Sequence, residues 1–126
     1  MQPLVTILVV NYNQSRFIDA ALRSACGQLS STCLVQVHDD GSDAHDAAMT
    51  AAIVARYAGV TAVIDGENLG LSARLNRALH SVTTPWVSVL AADDSLVPDA
   101  ISKLLDAATA DVAVVWGNVQ VMNEDG

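Results

Sequence analysis

Two acidic pairs follow directly on apolar runs. Asp93-Asp94 closes the stretch Val87-Ser88-Val89-Leu90-Ala91-Ala92, and Asp39-Asp40 closes Leu34-Val35-Gln36-Val37-His38. In an open α/β sheet, ligands bind in the crevice outside the carboxyl ends of the parallel strands, so carboxylates at such ends stand where chemistry is done. Their hard oxygens suit Mg²⁺ or Mn²⁺, which are commonly shared between one or two carboxylates and the phosphates of a substrate. Either pair could equally cap a helix or shape a turn, since Asp is favoured in both places. Two acidic strand ends in one chain shift the balance toward a ligand.

Further polar groups follow other apolar runs: Asn11-Tyr12-Asn13, Gly41-Ser42-Asp43 and Asn68-Leu69-Gly70. Several common machineries are absent from the sequence. No Gly-x-Gly-x-x-Gly follows the first apolar run and no Gly-x-x-x-x-Gly-Lys occurs, so neither phosphate-cradling loop is available. No Gly-x-Ser-x-Gly elbow offers a hydrolase nucleophile. His38, His45 and His80 have no metal-ligand spacing and read as structural or surface residues. Cys26 and Cys33 read as free thiols, because no secretory signal points to an oxidising compartment.

The elements that must position these groups alternate in type. Leu4–Val10 is a continuous β-branched run, as in a central parallel strand covered on both faces. Ser15 is the expected cap of a helix carrying Phe17, Ile18, Ala21, Leu22 and Ala25, ending near Gly27. Leu34–Val37 is the second strand, and Ser42 or Asp43 caps an Ala-rich helix running to about Tyr57. Val60–Ile64 is the third strand. The next helix carries Leu71, Leu75, Ala78 and Leu79 on one face, with Arg74 and Arg77 elsewhere. After Pro85 comes the strand ending at Asp93, then a helix opened by Pro98 with Ile101, Leu104 and Leu105. Ala113–Trp116 is expected as a fifth strand, continued or flanked by Val119–Met122. This order predicts an α/β fold of three layers, Rossmann-like, with a mainly parallel central sheet between helices. Asn123–Gly126 reads as a turn leading onward, as if the sheet stopped partway.

The 126 residues suit one domain, with 52% hydrophobic and 4% aromatic residues, a composition that excludes a disordered tail. Six basic against fourteen acidic residues leave a formal charge of −8, which repels nucleic acid and anionic bilayers overall. Leu4–Val10 is too short to span a bilayer and lacks a basic leader, so the expectation is a cytoplasmic protein, at most peripheral at the inner membrane face.

Taken together, Tyr12-Asn13, Asp39 through Ser42, Asn68-Leu69-Gly70-Leu71-Ser72, and Asp93-Asp94 with Pro98-Asp99 resemble the family 2 glycosyltransferases of GT-A fold. The likeness spans residues 1–126 as the nucleotide-diphospho-sugar-binding part. It implies that Tyr12 packs against a nucleotide base, the alternative being an ordinary half-buried strand-end tyrosine. It implies that Asp40 accepts a hydrogen bond from a uracil-type N–H, with Asp39 supporting the same loop and Asn13, Asn68 and Ser72 also at the nucleotide. Asp93 matches the last acidic position of the family's DXD motif and is the implied Mn²⁺ or Mg²⁺ ligand, with Asp94 a sugar contact or a support behind it. Ala91 stands where many relatives have the first Asp. Arg74 lies one residue from the position of a family Arg that precedes an Asn, here Asn76. The likeness implies that Arg74 reaches the donor phosphates; a solvated charge on the helix face is the alternative.

The resemblance implies transfer of a hexose from a nucleotide sugar, UDP-linked, to an acceptor hydroxyl of a saccharide, a lipid-linked saccharide or a protein, with inversion. The family places its catalytic base beyond the last strand read here, so no base is assigned, and this chain alone is expected to be inactive. The exposed sheet edge implies self-association. Ala91 motivates a different reading, a non-catalytic nucleotide-binding or interaction module of the same fold. A phosphoacceptor signalling domain is suggested by Asp39-Asp40 alone. It would need an acidic cluster after the first strand, where Asn11-Tyr12 stands, and a lysine after the fifth, whereas Lys103 precedes it.

Overall fold

The computed structural model describes residues 2–28, 32–123 and 125. Its elements are β1 (Val5–Asn11), α1 (Ser15–Cys26), β2 (Cys33–Asp39), α2 (Ala44–Val54), β3 (Thr61–Val63), α3 (Leu71–Leu79), β4 (Trp86–Ala91) and α4 (Ala100–Ala107). The strands form one parallel sheet in the order β3-β2-β1-β4. Val9 of β1 lies between Val37 and Leu90, and Asn11 pairs with Asp39, so β1 and β2 finish level with one another.

Strand β1 is central and buried on both faces. Side chains alternate across a strand. Val5, Ile7 and Val9 join Val35, Val37 and Leu90 in a core closed by Ile18, Ala21, Leu22 and Ala25 of α1, Ile53 and Val54 of α2, and Ile101 of α4. Thr6 and Leu8 point the other way and are equally buried, on the side where α3 packs over β1. Each fully buried Ile or Leu of this kind contributes roughly 1.5–3 kcal/mol. Helices on both faces make the three layers that the alternation of elements implies.

The topology defines a crevice. From β1 the chain steps to β2 and β3 with α1 and α2 packed together on one face, and then α3 carries it back to β4 on the far side of β1. The direction of winding reverses between β1 and β4, and their carboxyl ends flank the place where open α/β sheets bind ligands.

Three expectations are corrected. Ala113–Trp116 and Val119–Met122 form no strand; among the described residues, 113–123 carry no regular element, and Trp116 and Val121 are 82% and 92% exposed. β-Branched composition is only a propensity, and a strand exists when a neighbour takes its N–H and C=O groups. Ala113–Val115 run along a groove of about 350 Å³ beside β4 and α4, with no ladder to β4. The expected terminal turn lies partly outside the described residues, at Glu124 and Gly126.

Ser15 does not cap α1. Gln14 takes that place without a side-chain bond, and the N–H of Ser15 donates to Asp46 Oδ2 of α2 at 2.9 Å. Asp43 does cap α2, accepting from the N–H of Asp46 at 2.9 Å. In α3 the buried face is Arg74 and Ala78, whereas Leu71 and Leu79 are exposed. Among the described residues, no helix is long and apolar enough to cross a membrane.

Candidate functional site

Four connections meet at the carboxyl end of the sheet, and buried polar bonds lock three of them together. Asn11, the last residue of β1, is the hub. Its Nδ2 donates to Asp39 Oδ1 at 2.8 Å, Asp46 Oδ1 at 3.0 Å, Thr50 Oγ1 at 3.2 Å and Ser42 Oγ at 3.3 Å, while its Oδ1 accepts from the N–H of Gln14. Asp39 has no exposed surface; it accepts from the N–H and the hydroxyl of Ser42. Burial works against ionisation of Asp46, but the N–H of Ser15 and the Asn11 amide outweigh it and hold its carboxyl below the usual range.

Asn13 fastens the first connection to the second. It sits at φ 51, a left-handed conformation that Asn tolerates better than most residues. There its N–H donates to Ser42 Oγ and its Oδ1 accepts from the N–H of Asp43, each at 2.9 Å. The turn at Asn13 leaves Tyr12 facing outward, 54% exposed.

Asp40 fastens the second connection to the third. Its Oδ1 accepts from the N–H of Leu69 at 2.9 Å and from Arg74 Nε at 3.2 Å. Its Oδ2 accepts from the N–H of Gly70 at 3.0 Å, with Asn68 Nδ2 more distant at 3.5 Å. The main contact of Asn68 is instead to the Asp40 carbonyl, at 2.8 Å. Burial opposes ionisation of Asp40, and the Leu69 N–H, the Arg74 guanidinium and the Gly70 N–H together overcome it, so the carboxyl stays charged below its ordinary range. Gly41 makes this closure possible. At φ +71 it lies under the backbone of residues 67–68, and a Cβ there would meet the nitrogen of Asn68 at 2.5 Å.

Arg74 is not the solvated helix-face charge offered as the alternative, because its side chain has no exposed surface. Nη1 and Nη2 grip the two oxygens of Asp65 at 3.1 Å each, Nη2 also donates to the Glu67 carbonyl, and Nε reaches Asp40. The same grip, aided by the Glu67 N–H, lowers the Asp65 pKa to about 2.

The fourth connection is different. Asp93 and Asp94 follow β4, held by the N–H of Ala92 on the Val10 carbonyl at 2.9 Å, and both are exposed. Neither carboxylate has a hydrogen-bond or ion-pair partner among the described residues. No group of three or more His, Cys, Asp and Glu there could hold a metal by itself. Two adjacent, uncommitted carboxylates do fit the mode in which Mg²⁺ or Mn²⁺ takes one or two carboxylates and completes its shell with phosphates and water. Ser72, in the first turn of α3, is also exposed.

Of the residues singled out in the sequence, Asn13, Asp39, Asp40, Asn68 and Arg74 thus belong to one bonded block, while Tyr12, Ser72, Asp93 and Asp94 stand exposed around it. Asn11 was named among the polar residues after apolar runs but given no role, and Asp46 and Asp65 were not singled out. The Asp43-x-x-Asp46 spacing and the position of Asp65 just beyond the third strand were the available signals.

Comparison with known proteins agrees with this geometry. Residues 6–126 match the profile described as Glycosyl transferase family 2. The chain is 33% identical over 127 residues to the Succinoglycan biosynthesis protein ExoO of Rhizobium meliloti (strain 1021), with 98% of this chain and 35% of that protein covered. It therefore spans about a third of that relative's length. Among solved structures it resembles the Pyrobaculum calidifontis mannosyltransferase PcManGT in complex with GDP-Man and Mn²⁺, at TM-score 0.73 and 24% identity, covering 83% of this chain and 32% of that one. It also resembles S. aureus TarS 1-349 in complex with UDP-GlcNAc, at TM-score 0.71 and 21% identity, covering 82% and 30%. At such identities the likeness speaks to the fold. Strand order, crevice and profile lead to one conclusion: the chain has the GT-A fold and belongs to glycosyl transferase family 2.

Proposed function

We propose that this chain is the donor-binding part of a glycosyltransferase, holding a nucleoside-diphosphate sugar across the carboxyl ends of β1 and β4 for transfer to an acceptor hydroxyl with inversion. The observation that carries the reading is a contrast. Most polar groups around β1, β2 and β3 are engaged with one another, whereas the Asp93 and Asp94 carboxylates after β4 have no partner among the described residues, across the winding reversal from exposed Tyr12.

Tyr12 offers the base an aromatic face. Asp40 Oδ2, less fully engaged than Oδ1, keeps acceptor capacity for an N–H of the base, which suits uracil and hence a UDP-linked donor. Asp93 would hold Mn²⁺ or Mg²⁺ and Asp94 would contact the sugar or support Asp93. When bound, the cation would neutralise charge on the departing diphosphate. Ser72 offers a hydroxyl from the first turn of α3. No carboxylate described here is assigned as the base that deprotonates the acceptor.

Support comes from family membership and from similar folds that hold GDP-Man with Mn²⁺ and UDP-GlcNAc. Ala91, at the first position of the acidic motif, favours a second reading, a module that binds nucleotide without turnover. Calorimetric titration of UDP into the chain, with Mn²⁺ and with chelator, tests the donor site. Binding that needs the metal and is lost in Asp93→Ala is expected; metal-independent binding unchanged in that variant would remove Asp93 from the site. Release of free sugar from a UDP-sugar, or its transfer, separates the enzyme from the module.

A further inference from the structure

We infer that Arg74, braced by Asp65, is a positioning residue that aims the Asp40 carboxylate and clamps the 67–70 segment over Gly41 before any ligand binds. The inference rests on the donor-site reading for its consequence, but the geometry stands by itself.

The contacts form a closed circuit. Arg74 Nε binds Asp40 Oδ1, and Arg74 Nη2 binds the carbonyl of Glu67. The segment that begins at that carbonyl returns the N–H groups of Leu69 and Gly70 to the same Asp40 carboxylate. Asp65 holds the guanidinium through two parallel bonds, which fix its plane as well as its position. Three elements are tied at one point: the end of β2 through Asp40, the connection after β3 through Asp65 and Glu67, and α3 through Arg74.

A salt bridge with a purely stabilising role would be an expensive choice here. Burying a guanidinium with no exposed surface carries a heavy desolvation cost, and apolar packing of α3 on the sheet would often serve stability as well. What an apolar residue could not do is give Asp40 one orientation. Lysine could not substitute either, because the arrangement uses the planar fork of arginine on two carboxylates and a carbonyl at once. Arg77 reinforces the outer side, reaching Asp65 at 3.4 Å and Glu67 at 2.6 Å. An Asp40 fixed in advance loses no rotamer freedom when a base arrives, which raises affinity without a new contact.

The test uses the full chain with Asp65→Asn and Arg74→Lys, read by the amide resonances of Leu69 and Gly70, by UDP affinity in Mn²⁺ and by melting temperature. Asp65→Asn leaves the guanidinium in place but removes its brace, and it keeps the test alive if Arg74→Lys fails to fold. In Asp65→Asn both amide resonances should move in the direction seen in Asp40→Asn, and UDP binding should weaken on the order of tenfold, within the usual coupling between contacting residues. Folded Asp65→Asn with wild-type amide resonances, or with shifted resonances and unchanged UDP affinity, would overturn the assignment. Failure of the wild-type chain to bind UDP would count against the donor-site reading, and the amide resonances would still decide whether Arg74 aims Asp40.

Discussion

Asp46 of α2 terminates a helix that is not its own: its Oδ2 accepts the N–H of Ser15 at the start of α1, while its Oδ1 takes the Asn11 amide. A carboxylate at this point satisfies an orphan donor of α1 and opposes the positive end of that helix. Asp46→Ala is expected to destabilise the chain by about 1–3 kcal/mol, since Asn11 loses an acceptor in a buried site and α1 loses its anchor. Urea denaturation with an unchanged m-value checks this; a midpoint equal to the wild type would mean that water replaces the carboxylate.

Gly41 is expected to resist any side chain. Gly41→Ala combines a left-handed conformation with a Cβ at 2.5 Å from a backbone nitrogen, so a loss of about 2–4 kcal/mol is predicted. Gly59 is the control. It has φ +82 but nothing within 4 Å of the added Cβ, so Gly59→Ala should cost only the conformational part, about 1–2 kcal/mol. Equal melting temperatures for the two variants would refute the close approach of residues 67–68.

Acid sensitivity should trace to Asp65. Its folded pKa of about 2 lies below the ordinary 3.8, so its contribution is fully present above about pH 4 and is lost as pH falls toward 2. Because its side chain is partly exposed, screening reduces that contribution to about 1 kcal/mol. Asp65→Asn should flatten the acid limb of the stability curve between these pH values. An unchanged limb would assign acid sensitivity to Asp40 and Asp46 instead.

Asp93 and Asp94 should be dispensable for folding. Neither carboxylate has an internal partner among the described residues, so Asp93→Ala and Asp94→Ala are predicted to stay within about 0.5 kcal/mol of wild-type stability. Loss of Mn²⁺ binding, followed by electron paramagnetic resonance in the presence of UDP, is expected for Asp93→Ala and a smaller effect for Asp94→Ala. A marked drop in melting temperature would instead mark either residue as part of the fold.

The four strands and four helices were legible because apolar runs and helical spacing report burial directly. Val5–Val9 could hardly be anything but a central strand. The fifth strand was misread for the complementary reason: Ala113–Trp116 has strand composition, but composition says nothing of whether a neighbour takes its backbone groups. The burial of Arg74 was not legible because a helical pattern assigns charge to the outside. Only the three-dimensional meeting of Asp40 and Asp65 makes its burial tolerable. Tyr12 and Asp93 were visible as polar residues just past apolar runs, yet nothing in the sequence showed that Asn11, in the same stretch as Tyr12, is the hub.

The bonds of Asn11 also bear on how the molecule is assembled. Its partners Asp39, Asp46 and Thr50 lie 28, 35 and 39 positions away, and Asp40 meets Arg74 across 34. Contacts between distant residues carry the entropy of closing long loops and therefore form late. The crevice should accordingly be among the last regions to consolidate during refolding. Its amides should therefore exchange with solvent through partial opening, faster than those of the β1 core, and a ligand that recognises only the finished crevice would suppress that opening while leaving folding intermediates untouched.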